Sequence, residues 1–295
     1  MARFPRCQPV IPYLQRVPSD ESVERVLESL QAEAEEYPER HRQLAAIRFY
    51  LHLMLWECER FWMRDVAKGI TNYKTLLDQI ERWRKPGERV CLVTFNYDTL
   101  LETALPSVGV TIRDLPDYIA SEHYKVIKLH GSVHWAREVN TPNENLAVQP
   151  TWEIVRLLIQ RAPDLEITAR YRIAREHPIA RSDQITLFPA LAIPVETKRE
   201  YECPPEHLDA LHASILEATK VLVIGWRATE LPFRRLLAER LHQDVLVMSV
   251  TGDPHSAQEV NERLREVGIG GEFLWTQSGF TDFIVRREAD AFLQR

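Results

Sequence analysis

The sequence predicts an α/β protein: a Rossmann-like, mostly parallel sheet with helices on both faces, plus a smaller helical domain. Three observations carry that expectation. Apolar runs recur at RVCLVTF (89–95), YKVIKL (124–129), TLFPALAIPV (186–195), KVLVIGW (220–226) and DVLVMSV (244–250). They are near-continuous rather than alternating, as in strands covered on both faces. Amphipathic stretches near 205–218 and 230–242 lie between the last three runs, and another follows near 254–267, which is the alternation of a parallel sheet. The first third, by contrast, has helical spacing throughout.

In chain order, residues 1–18 hold Pro5, Pro9, Pro12 and Pro18 and no glycine, and read as an irregular lead-in. Ser19 can cap the next helix, with Asp20 and Glu21 in its first turn and Val23, Val26, Leu27 and Leu30 on one face. Leu44, Ile47 and Leu51 continue a helical pattern to about Phe61. A third helix is expected near 70–84, with Tyr73, Leu76, Leu77, Ile80 and Trp83 as its buried stripe. The expected organisation is therefore a lead-in (1–18), a helical subdomain (19–85) and a Rossmann-like domain (86–295). A polar stretch at about 136–185, containing TPNENLAVQP, reads as an insertion with a helix or two.

The chain has 295 residues, a net charge of −6 and 45% hydrophobic residues, a globular profile. The acidic balance gives no support for nucleic acid as a partner. Cys7, Cys58, Cys91 and Cys203 form no CxxC pair, so neither a tetrathiolate metal site nor a disulfide framework is expected. Reduced thiols in the cytoplasm are the simplest reading. The most apolar stretch, Ala45 to Trp56, carries Arg48 and His52 and is too short to span a bilayer, so no membrane role follows.

Two segments carry candidate chemistry. In VCLVTFNYDTLLE a buried strand ends at Thr94 or Phe95 and a helix follows, placing Asn96 and Asp98 where ligands bind in parallel sheets. Either residue could instead cap the helix of Leu100 and Leu101, and the two roles can coexist. In KLHGSVHW a strand delivers His130 to its end, and Gly131 permits a sharp turn or close backbone approach. An imidazole there suits general-base work, although a hydrogen-bonded structural histidine is the alternative. His134 and Trp135 read as packing residues. Gly225 and Trp226 end another strand, where a nucleotide could approach the main chain, or where the chain simply turns. Thr251 and Gly252 are similar, with Asp253 alternatively capping the next helix.

Taken in order, these segments resemble the sirtuin-like family, particularly its prokaryotic NAD-hydrolysing branch. NYDTLLE is similar to the family's Asn-x-Asp signature and KLHGS to its His-Gly signature. FPALAIPVETK resembles its later proline-containing strand, VLVIGW its glycine-bearing strand, and GFTDFI its closing helix. The similarity covers roughly residues 70–135 and 186–290, with a looser helical match over 19–69. The resemblance implies that Asn96 holds the nicotinamide ribose and orients a water, and that Asp98 meets the carboxamide. It implies His130 as a base on a ribose hydroxyl or an aid to the water. Further NAD contacts are implied at Thr94, Phe95, Gly131, Gly225, Trp226 and Thr251. No metal is implied, since the cysteine pairs of zinc-binding family members are missing.

A second departure concerns the family's opening strand and Gly-Ala-Gly loop, because the first glycine here is Gly69. That strand lies mid-sheet in the family, and its absence would leave buried backbone groups unpaired. The expectation is that the sequence begins downstream of the true N-terminus; a partner or a rearranged segment is the alternative. The function the resemblance implies is hydrolysis of NAD, as substrate, in antiphage defence. A degenerate nucleotide-binding or assembly subunit and an NAD-dependent protein deacylase are the alternatives. A homo-oligomer or a partner protein is compatible with either.

Overall fold

The structure is a computed structural model that describes residues 4–12, 23–34, 36–66, 71–140, 149–175, 179, 181–182, 185–193 and 201–295. Its first elements are helices α1 (Val23–Glu33), α2 (Pro38–Val66) and α3 (Asn72–Trp83), strand β1 (Val90–Thr94), and helices α4 (Leu100–Ala104) and α5 (Asp117–Ala120). Next come β2 (Tyr124–Lys128), β3 (Gly131–Asn140), α6 (Thr151–Gln160), β4 (Glu166–Ile173), β5 (Arg181–Ser182) and β6 (Ile185–Leu191). The last part runs α7 (Pro205–Glu217), β7 (Lys220–Ile224), α8 (Leu231–Arg240), β8 (Leu246–Val250) and α9 (Pro254–Glu266). It ends with β9 (Glu272–Trp275), α10 (Phe280–Val285) and α11 (Glu288–Gln294). The protein is thus a mixed α/β fold with parallel strand pairing and flanking helices. The capping residues Ser19, Asp20 and Glu21 lie outside the described residues.

Two compact units share the chain. The first takes Met1–Asp65, Val93–Thr99 and Lys128–Pro204; the second takes Val66–Leu92, Leu100–Ile127 and Pro205–Arg295. Helix α2 lies almost wholly in the first unit and α3 in the second.

In the first unit, α2 buries Ala45, Ala46, Ile47 and Phe49 against Ile154, Val155 and Leu158 of α6 and Phe188 of β6. Phe49 meets Phe188 edge-on at 5.1 Å between centroids. The lead-in contributes to this core. A 3-10 turn over Pro5–Val10 follows Phe4, which is 2% exposed and packs edge-on against Tyr50 and Trp152. Cys7 sits in the same core, where burial pushes its thiol pKa up to about 11.

The sheet of this unit has the order β4-β3-β6-β5 and is antiparallel throughout. This corrects the expectation for the 186–195 run, read as part of the parallel sheet. Its described part forms β6, whose Leu187, Phe188 and Pro189 oppose Glu138, Arg137 and Ala136 of β3. A strand buried on both faces is a continuous apolar run whichever way its neighbours run, so the pattern could not give direction. Pro189 sits beside the irregularity between Gly131 and Ala136, where the ladder is interrupted. Pro194 and Val195 lie outside the described residues. Among the described residues, the expected insertion at 136–185 holds α6, the strands β4 and β5, and half of β3.

In the second unit, β7, β8 and β9 form a parallel sheet, with Ile224 opposite Val250 and Ser249 opposite Trp275. Two buried polar side chains stitch α9 to it: Ser249 Oγ donates to Asn261 Oδ1 (2.7 Å), and Asn261 Nδ2 donates to Leu274 O (3.2 Å). Helix α3 is capped by Thr71, whose hydroxyl accepts from Lys74 N (3.1 Å), and it buries Leu76, Leu77 and Ile80. Gln79 donates to Ile284 O (3.0 Å) and Asn72 to Thr281 (2.9 Å), holding α10 against α3. Strands β1 and β2 form a separate parallel pair, bonded by Val90 N to His123 O (2.8 Å) and Leu129 N to Thr94 O (3.1 Å). Among the described residues, no helix is long and apolar enough to cross a membrane.

One surface network in the second unit has a readable pH dependence. Arg84 Nε donates to Glu81 (2.6 Å) and Tyr124 OH donates to the same carboxylate (2.7 Å). The guanidinium holds the Glu81 carboxyl below its ordinary value. A depressed carboxyl pKa contributes stability above the unfolded value of about 4.3, lost as pH falls through the folded one. Glu81→Gln is expected to cost about 0.5–1 kcal/mol at pH 7, with the difference shrinking as the pH falls below about 4.3. Melting curves of both proteins across that range check it; a gap independent of pH contradicts it.

Candidate functional site

The six predicted residues Thr94, Phe95, Asn96, Asp98, His130 and Gly131 all belong to the first unit. Strand β1 ends at Thr94, whose hydroxyl accepts from Asn96 N (3.0 Å) and starts a tight turn. That turn leaves Asn96 exposed and Asp98 half-buried. The turn is fixed from several sides. Lys128, at the end of β2 and 0% exposed, donates Nζ to the Asp98 carbonyl. Val133 N donates to Tyr97 O (2.8 Å). Thr99 gives its N–H (2.7 Å) and its hydroxyl to the buried Glu59 carboxylate of α2. The residue before α4 is thereby anchored to a side chain distant in sequence.

His130 is buried, at 7% exposure, between two aromatic side chains. Phe95 meets it edge-on at 4.9 Å and Tyr97 lies tilted at 6.1 Å. Its backbone carbonyl accepts from Ala192 N (3.0 Å), and Tyr97 OH donates to Ala192 O (2.9 Å). The two motifs, the Asn96–Asp98 turn and His130, are thus joined through Tyr97, Lys128 and Val133.

Gly131 has φ +79°, and a Cβ there would stand 1.9 Å from Ala190 O, so β3 and β6 meet with no room for any side chain. Trp135 is fully buried, as expected of a packing residue, whereas His134 Nε2 lies 3.5 Å from Glu59 Oε2. Glu59, Lys128 and Tyr97 were missed by sequence reasoning. The only signals were a lysine closing an apolar strand and a tyrosine inside the Asn-x-Asp motif.

Gly225, Trp226 and Thr251 belong to the second unit. They follow β7 and β8, and Gly225 N bonds Val250 O (2.8 Å), so the two strand ends are adjacent. Gly225 has φ +64°, and among the described residues nothing lies within 4 Å of where a Cβ would be, so the space on that side is free. Trp226 Nε1 donates to Glu230 (2.5 Å). Asp253 caps α9, accepting from Ser256 N (2.9 Å), while Thr251 Oγ1 donates to Asp253 O (2.6 Å). Among the described residues, no group of three or more His, Cys, Asp or Glu could hold a metal ion.

An α/β chain with a polar turn and a buried histidine at neighbouring strand ends has the outline of a nucleotide-handling protein. The comparison with known families is more specific: residues 90–171 match the family model of the SIR2-like domain. That span holds both motifs, and over it the chain is similar to the SIR2-like family, which generally uses NAD as substrate. Neither a curated protein nor a solved structure matches the chain.

The closeness of Gly131 to Ala190 makes a stability test. Gly131→Ala must displace a backbone carbonyl and accept a left-handed φ, and the expected cost is about 2–4 kcal/mol. Thermal denaturation followed by circular dichroism measures it. A loss below about 0.5 kcal/mol is inconsistent with so close a backbone approach.

Proposed function

We propose that the protein hydrolyses NAD to ADP-ribose and nicotinamide, in an antiphage role. The observation that carries the reading is the joining of the Asn96–Asp98 turn to His130 within the SIR2-like span. The residue types fit the substrate. Asn96, an exposed amide, holds the nicotinamide ribose and orients a water; Asp98 meets the carboxamide. Breaking the N-glycosidic bond sends its electron pair to the nicotinamide nitrogen and leaves positive charge on the ribose. The water oxygen bonds to the anomeric carbon, and His130 takes the proton. Thr94, Phe95 and Gly131 line the same strand ends. In the second unit, the free space beside Gly225, with Trp226 and Thr251, suits nucleotide binding past parallel strand ends.

Two other readings belong to the same family: a nucleotide-binding or assembly subunit without turnover, and a protein deacylase that would yield acyl-ADP-ribose from an acyl-lysine peptide. The test is nicotinamide release from NAD by the purified protein. Turnover is expected to fall on the order of 10²–10⁴-fold in Asn96→Ala and in His130→Ala. Unchanged turnover in both variants refutes the assignment. Acyl-ADP-ribose formation would move the protein to the deacylase reading, and NAD binding without turnover to the subunit reading.

A further inference from the structure

Outside the residues assigned above, the first unit holds a partly buried arginine whose charge is poorly matched by the described residues around it. Arg48 lies at the middle of α2, between the buried Ile47 and Phe49. Its Nε atom is sealed from solvent and has no hydrogen-bond partner among the described residues, while the residue as a whole keeps some exposure. Its guanidinium carbon lies 5.4 Å from the Phe188 ring centroid. The charged and titratable groups facing it are Glu202, Arg137, Tyr171 and Tyr97.

Glu202 is already engaged. It accepts from Tyr171 OH (2.9 Å), and Arg137 Nη1 stands 3.6 Å away. Arg137 is itself bound to the β4 backbone, donating Nε to Thr168 O (2.8 Å). Two guanidiniums therefore share one carboxylate, leaving an excess positive charge among these groups. Burial lowers the Arg48 pKa, the direction expected of a cation short of compensation. Among the described residues no carboxylate is hydrogen-bonded to Arg48, and a partly buried cation so placed is costly.

We propose that Arg48 anchors a binding site for a small oxyanion, a phosphate or a carboxylate. A guanidinium above an aromatic ring uses its face there and keeps its N–H donors along its edges. That planar fork suits either oxyanion. Arg137 adds a second positive charge, and Tyr97, which also flanks His130, sets the site beside the proposed catalytic histidine. The inference goes beyond the NAD reading and does not depend on it, because anion binding is measured with no NAD present.

The test is thermal denaturation of the full chain at pH 7, titrated separately with phosphate and with acetate, ionic strength held constant with KCl. A saturable rise of about 3–6 °C is expected in the wild type with one or both anions. Arg48→Met should lose that response, and its melting temperature without anion should equal or exceed that of the wild type, since an uncompensated cation has gone. Arg48→Lys should respond with at least about tenfold weaker apparent affinity, because the fork is lost. A response to phosphate alone, to acetate alone or to both supports the site and names its anion. No saturable rise in the wild type overturns the proposal, as does a response that survives Arg48→Met. Where Arg48→Met fails to fold, an unchanged affinity in Arg48→Lys overturns it.

Discussion

An ammonium group with no access to water must spend its donors on protein acceptors, and Lys128 is such a group. It closes β2 and donates to the carbonyl of Asp98, in the turn that follows β1. The candidate catalytic geometry rests on this bond. With Lys128 in place, the Asn96–Asp98 turn is held to the end of the neighbouring strand, two residues before His130. Glu59 secures the far side of the turn through Thr99. A polar loop that could otherwise sample many conformations is thereby confined to one, as an oriented water and a positioned base require.

The second constraint is the closeness of β3 and β6. At Gly131 the ladder leaves no space for a Cβ, and immediately beyond it the pairing becomes irregular up to Ala136. His130 precedes this approach directly and is boxed by Phe95 and Tyr97. Its burial follows from backbone geometry as much as from aromatic packing. Arg48, on α2, adds positive charge to surroundings that already hold Arg137 and the Glu202 carboxylate beside the Phe188 ring.

Much of this was legible beforehand, because it is local. The runs that became β1, β2, β7 and β8 announce themselves by continuous apolar residues, and the amphipathic helices beside them by their period. The placement of Asn96, Asp98 and His130 just past strand ends was legible from the apolar runs that precede them. The direction of β6 was not, since its burial is the same in either orientation. Nor was β4, an edge strand with Glu166, Arg170 and Arg172 along it, whose polar residues suit solvent on one side and hide it in the sequence. Lys128 and Glu59 were illegible for a third reason. Their partners are a backbone carbonyl and a threonine far along the chain, and nothing near them in sequence signals that pairing.

The passage from β2 to β3 bears on how the candidate site comes to be assembled. Only Leu129 and His130 separate a strand in a parallel pair from a strand in an antiparallel sheet. Both pairings join residues distant along the chain, with Leu129 bonded to Thr94 and Gly131 opposite Leu191. Closing such loops is slow and entropically unfavourable relative to helix formation. The imidazole is therefore fixed only when residues near 94 and near 191 have both paired with this passage. A nascent chain that has not yet completed β6 lacks the fixed His130, so synthesis itself delays the assembly of the site.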